Sequence, residues 1–147
     1  MIMNKTNTNK GYIYLRWHPA YDDVYKLGKT HNIPERDSLY ATGELKRGKF
    51  IVVYEIPIEK MSLVERLLQN EYIELNIKYD AGTEFFNKKI LTLIEPYLNK
   101  LNVKFKKLEQ QEINDLMRCN RVRKTLNKIN IRNLINVLKS KRNKQIN

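Results

Sequence analysis

GYIYLRWHPAYDDVYKLGKTHNIPER, Gly11 to Arg36, decides the fold. Tyr12-Ile13-Tyr14-Leu15 and Val24-Tyr25-Lys26-Leu27 are β-favouring runs. Between them, His18 to Asp23 carries Pro19 and two aspartates, the composition of a tight connection. The spacing predicts a hairpin. Asn32-Ile33-Pro34-Glu35 then reads as a helix start, with Asn32 as N-cap, Pro34 in the first turn and Glu35 three after the cap. Side chains alternate along a strand, so Tyr12, Tyr14 and Arg16 share one face of the first run. Lys26 and Gly28 share a face of the second, and Tyr25 points the other way. Convergence of Tyr14, Lys26 and Arg36 would set a phenol, an amine and a guanidinium around an anionic, phosphate-bearing substrate.

Outward from this stretch, the first helix is expected to run to about Leu45. Phe50 to Ile56 is nearly continuous apolar sequence, ended by Pro57, and reads as a buried central strand. A helix is expected from Ser62 to about Asn76, with Val64, Leu67, Leu68, Tyr72 and Leu75 as its apolar stripe. Residues 77–87 read as a connection whose Phe85 and Phe86 pack the core. Ile90 to Glu95 reads as helix, bent or ended by Pro96. Beyond it, Glu109 to Met117 reads as a helix, Asn120 breaks the pattern, and one or two short amphipathic helices follow. The fold class expected is α+β. It comprises a small three-stranded, mostly antiparallel sheet flanked by helices, plus a basic C-terminal helical extension. The domains read as a flexible leader over 1–10, a globular domain over 11–100 and the extension over 101–147.

The charge is unevenly placed. Of the +12 total, residues 1–100 carry 15 Lys and Arg against 13 acids, whereas residues 101–147 carry 13 against 3, with no acid after Asp115. A polycationic end favours a polyanion, nucleic acid first and an acidic membrane surface second. A solvated basic tail explains the same composition without a partner. No apolar run approaches the ~20 residues of a membrane span. Met1 to Lys10 has no hydrophobic stretch of the secretory kind. The single cysteine, Cys119, excludes an intrachain disulfide and favours a reducing, intracellular compartment, cytoplasm or nucleus. Gly28-Lys29-Thr30 lacks the glycine a phosphate-binding loop needs five residues earlier, where Asp23 stands. His18, His31 and Cys119 have no zinc-site spacing, and no serine lies in a nucleophile elbow.

Taken together, Gly11-Tyr12-Ile13-Tyr14, then Lys26-Leu27-Gly28-Lys29-Thr30, then Arg36, resemble a GIY-YIG endonuclease. Glu65 within a helix and the later Thr83-Glu84-Phe85-Phe86-Asn87 extend the likeness over about residues 10–90, in the manner of a phage and large-DNA-virus branch. Two positions depart from the pattern: Lys26 stands where the second motif has tyrosine, and Gln69 where that branch often has histidine. The resemblance implies Tyr14, Lys26, Arg36 and Glu65 as catalytic residues and Glu65 as the ligand of a magnesium or manganese ion. Tyr12, Tyr25, Glu84 and Asn87 are accessory candidates, with Asn87 resembling the family's late asparagine. Ser62-x-x-Glu65 also fits a capping box, which explains Glu65 without chemistry.

The reaction so implied is metal-assisted hydrolysis of a DNA phosphodiester. Tyr14 takes the proton of the attacking water, Lys26 lowers the phenol's pKa by favouring the phenolate, and Arg36 forks onto the phosphate. Lys29, Arg121, Arg123, Lys124, Lys128 and Arg132 are the expected DNA-binding cations, and the tail also allows a homodimer contact. The alternative is a catalytically inactive nucleic-acid-binding module on the same scaffold. A viral structural protein with a basic tail is a third reading.

Overall fold

A computed structural model describes residues 9–78 and 82–146, with the side chains of 119–124 and 144–146 excepted. The chain forms β1 (Lys10–Trp17), β2 (Val24–Thr30), α1 (Ile33–Thr42), β3 (Lys49–Pro57), α2 (Met61–Glu71), β4 (Phe85–Asn87), α3 (Ile94–Lys100), β5 (Lys106–Lys107) and α4 (Gln110–Ile146). The expected leader lies outside the described residues except for Asn9 and Lys10. Lys10 opens β1 and sets its ammonium 3.4 Å from Glu55.

The sheet is five-stranded and antiparallel, in the order β4-β2-β1-β3-β5. The expected three-stranded sheet is thereby corrected, while the α+β class remains. The three long strands are the ones expected, with β1 central between β2 and β3. The additional two are short edge strands of three and two residues. Neither is long enough to show a period-2 pattern, and Lys106-Lys107 has no apolar face at all. Short edges resist pairing with other chains, and the charge on β5 adds to this.

One face of the sheet buries Ile13, Leu15, Leu27 and Val52 against Val64 and Leu68 of α2 and Ile94 and Leu98 of α3. On the other, Tyr14, Phe50 and Val53 meet Ile33 of α1, Leu108 just before α4 and Ile113 in its first turn. Pro96 does not end a helix but sits in the first turn of α3. Its missing N–H is one of the orphan donors there and costs nothing. The short C-terminal helices expected with a break at Asn120 are replaced by one 37-residue helix, α4. Asparagine lowers helix propensity only slightly and has no steric reason to stop a helix. Residues 125–143 of α4 are exposed throughout.

Candidate active site

Tyr14 lies directly opposite Gly28 in the β1–β2 ladder. Its ring lies across the glycine. A Cβ added to Gly28 would fall on the ring carbon Cζ and the hydroxyl, and 2.8 Å from Cε2. The glycine two positions beyond Lys26 is therefore the seat of the Tyr14 ring. Phe50 meets that ring edge-on at 5.0 Å between centroids. The Tyr14 and Tyr40 hydroxyls are 2.7 Å apart. Burial raises the Tyr14 phenol well above its ordinary range, the Tyr40 hydrogen bond adds to this, and the Arg36 cation partly opposes it. The expectation that Lys26 lowers the Tyr14 pKa is therefore corrected. The Lys26 ammonium lies 3.6 Å from the Glu84 carboxylate and 5.1 Å from the Tyr40 ring centroid. Arg36 is the cation acting on Tyr14.

Sequence patterning does not single out Tyr40. A signal for it exists: it stands four residues after Arg36, and i,i+4 positions share a helix face. Asn32 fixes the entry of α1, its side-chain oxygen accepting the Glu35 N–H at 3.0 Å. The cap thus sets the phase of the helix that carries both Arg36 and Tyr40.

Glu65 approaches from α2, on the sheet face opposite Tyr14. Its side chain is 12% exposed, and one oxygen lies 3.6 Å from the Lys29 ammonium. Lys29 also donates to the Ser62 hydroxyl at 2.9 Å. The capping-box reading of Glu65 does not hold, because α2 begins at Met61 after a 3-10 turn and its Lys60 N-cap makes no side-chain cap bond. Ser62 already lies inside the helix. Burial lifts the Glu65 carboxyl above the usual range. Lys29 pulls it down, Glu84 pushes it up, and Arg36 pulls it down more weakly.

Arg36 and Glu84 each act electrostatically on both Tyr14 and Glu65. Along β2, Lys26, Gly28 and Lys29 bring Glu84, the Tyr14 ring and Glu65 to one place at the sheet edge. The place is an open edge: β4 pairs with β2 only along Val24–Lys26, which among the described residues leaves Gly28 to Thr30 without a strand on that side. The accessory candidates divide. Glu84 lies 3.6 Å from the Lys26 ammonium. Tyr12 is on Tyr14's face, opposite Thr30 and Glu55, with its phenol raised by burial and by Glu55. Tyr25 packs with the α2-side core beneath Lys88. Asn87 stands opposite Val24, away from Gly28, and its Oδ1 accepts the Lys89 N–H. Lys128 and Arg132 are exposed on α4. The side chains of Arg121, Arg123 and Lys124 lie outside the described residues.

Phenols, cations and two carboxylates thus lie along an open sheet edge. The T5orf172 domain matches residues 11–139, so the chain belongs to that phage-associated, nuclease-related family, in which a nuclease-like or nucleic-acid-binding role is the common ground. No curated protein and no solved structure matches the chain. Among the described residues, no helix is long and apolar enough to cross a membrane.

Proposed function

We propose that the protein is a metal-dependent DNA endonuclease of the GIY-YIG type, hydrolysing phosphodiester bonds at the Gly28 edge of the sheet. The observation that carries this reading is the run of β2 from Lys26 to Lys29, where Lys26 lies 3.6 Å from Glu84, Gly28 seats the Tyr14 ring and Lys29 lies 3.6 Å from Glu65. Catalytic phosphodiester sites need a proton acceptor, a cation for the phosphate and a carboxylate near the leaving group. A capping residue or a surface salt bridge needs no such meeting point.

The donor chemistry fits magnesium or manganese. Among the described residues no three His, Cys, Asp or Glu form a cage, and magnesium takes one or two carboxylates while keeping several waters. Glu65 would hold it, with Glu84 close by. When bound, the ion supplies positive charge that polarises the phosphate and stabilises the departing oxygen.

The chain's own residues do the rest. Arg36 forks onto the non-bridging oxygens and stabilises the charge that builds in the transition state. Tyr14, held protonated by burial, works through its hydrogen bond rather than as a standing phenolate. As the water oxygen attacks phosphorus, Tyr14 takes the water's proton and passes its own to Tyr40, which releases one to solvent. The P–O bond to the leaving group breaks, and that oxygen is protonated from solvent. Lys26 and Lys29 hold Glu84 and Glu65 in place and add positive charge. Tyr40 supplies a second phenol at a site whose second motif has Lys26 in place of tyrosine. Exposed cations of α4, Lys128 and Arg132 among them, add non-specific affinity for the DNA backbone.

Supercoiled plasmid with magnesium tests the proposal. Nicked or linear product is expected from the wild type and not from Arg36→Ala or Glu65→Gln. Equal cutting by all three would overturn the site. Retention of DNA in a gel shift without cutting would favour the binding module.

A further inference from the structure

A cleft adjoins the candidate site. The cleft has a volume of about 570 Å³, within the ~300–1,000 Å³ typical of small-ligand sites. Its walls are the Pro19–Tyr21 turn, the segment from Gly43 to Lys46 after α1, and Phe85 of β4. Lys26 and Tyr40 line it as well, so the two sites share a wall.

We propose that this cleft holds one unstacked nucleobase of the bound DNA, beside the phosphate to be cut. The proposal rests on the nuclease reading and adds to it the state of the substrate. Three features support a base as the occupant. First, the surfaces are π faces. Tyr21 is 51% exposed and is braced by Phe85 at 5.8 Å and by His18 at 6.0 Å between ring centroids. A half-exposed tyrosine held by two rings is a platform with its orientation already set.

Second, the His18 ring and the Glu44 carboxylate of the cleft are already paired. His18 Nδ1 accepts the Ala20 N–H, and Nε2 lies 2.8 Å from the Lys46 carbonyl. Glu44 accepts two hydrogen bonds from Arg16, at 2.6 and 2.7 Å. Burial works against the ionised Glu44, but the Arg16 bonds and charge outweigh it and hold the carboxyl below its usual range. Among the described residues, no free carboxylate lines the cleft to repel DNA, and few free groups remain to read a base edge. Recognition there is by stacking, which tolerates every base.

Third, Lys26 and Lys46 bring positive charge to the lining, where the phosphates flanking an extruded nucleotide would lie. Leu45, fully exposed on the same cleft, adds an apolar contact.

The test is binding of a labelled duplex carrying one unpaired nucleotide, against the same duplex fully paired, by fluorescence anisotropy in metal-free buffer. A 2-aminopurine at the unpaired position reports contact with an aromatic ring. Base–aromatic stacking predicts about a tenfold preference for the unpaired duplex, with quenching of 2-aminopurine on binding. Tyr21→Ala and Leu45→Ser change exposed residues outside the catalytic set. Tyr21→Ala should remove the preference and the quenching while leaving affinity for paired duplex unchanged. Leu45→Ser should weaken the preference severalfold. Equal wild-type affinity for both duplexes, or a preference unchanged in Tyr21→Ala, overturns the subsite. Plasmid cleavage run in parallel separates the two readings. Cutting without the preference leaves the nuclease and removes the subsite. The preference without cutting leaves the subsite on a binding module. Neither binding nor cutting overturns both.

Discussion

Replacing Gly28 with alanine tests how the site is built. The added methyl meets the Tyr14 ring at Cζ, at the hydroxyl and, at 2.8 Å, at Cε2. Ordinary carbon contacts are about 3.5–4.0 Å, so an atom of the pair must move by roughly 1 Å. The ring has nowhere to go: it is 2% exposed, edge-on to Phe50, and tied to Tyr40. Overpacking of this kind costs about 1–3 kcal/mol. A glycine-to-alanine change in a compatible backbone returns about 0.4–1 kcal/mol by restricting the unfolded chain. Gly28 has no positive φ, so that return applies. The net expectation is a loss of about 1–2 kcal/mol, lowering Tm by roughly 2–8 °C for a chain of this size. Cleavage should fall further than stability, because the Tyr14 hydroxyl is displaced. Urea unfolding of Gly28→Ala in the wild type and in a Tyr14→Leu background measures the coupling. With the ring gone, the same change should be neutral or slightly stabilising. An equal cost in both backgrounds would refute the seat.

Tyr40→Phe leaves the Tyr14 hydroxyl without its partner. A stability loss of about 1 kcal/mol and a fall in kcat of about a hundredfold, with KM little changed, are expected in steady-state cleavage. Arg16→Met strands the Glu44 carboxylate, with Arg16 only 4% and Glu44 12% exposed. It should cost about 3 kcal/mol in urea unfolding, and Glu44→Gln added to it should recover part of that loss. The Glu65 carboxyl is raised by burial, so its contribution to stability is fully present below the unfolded-state value and is lost as pH rises through the folded-state one. Because metal binding needs the carboxylate, the acid limb of the pH–rate profile should lie above the ordinary glutamate range. Lys29→Met should move it higher, and an unmoved limb would remove Lys29 from the site. Residues 119–147 hold nine Lys and Arg and no acid. Deleting them should flatten the salt dependence of DNA affinity, by about 0.9 in log–log slope for each phosphate they neutralise.

The elements that are legible in the sequence are those with a long period or a strong cap. Three runs of alternating or continuous apolar residues mark the three long strands, and Asn32 with Pro34 marks the start of α1. The edge strands escape because each owes its pairing to a neighbour already in place: Phe85 to Lys26, and Lys106 to Glu55. Such strands have no signal of their own. The continuity of α4 escapes because asparagine is a weak breaker and because basic residues hide an apolar period. In the candidate site, Tyr14, Arg36 and Glu65 stand out through motif order. Tyr40 does not, since a tyrosine on an ordinary helix face shows its role only through the hydroxyl it meets. The Ser62–Glu65 spacing misleads for a related reason. A capping box is a statement about where a helix begins, and the 3-10 turn before Met61 moves that point upstream.

The length of α4 has a geometric consequence. At about 1.5 Å per residue, its 37 residues span about 55 Å. Among the described residues, its packing against the body comes from the first turns, through Ile113, Leu116 and Met117, while residues 125–143 are exposed. A rod clamped at one end turns position along the chain into distance in space. Laid along duplex DNA at about 3.4 Å per base pair, its length equals some sixteen base pairs. A nuclease with such an arm would protect DNA on one side of its cut far more than on the other. Adding or removing whole turns of the rod would then move the outer boundary of protection while leaving the cut in place.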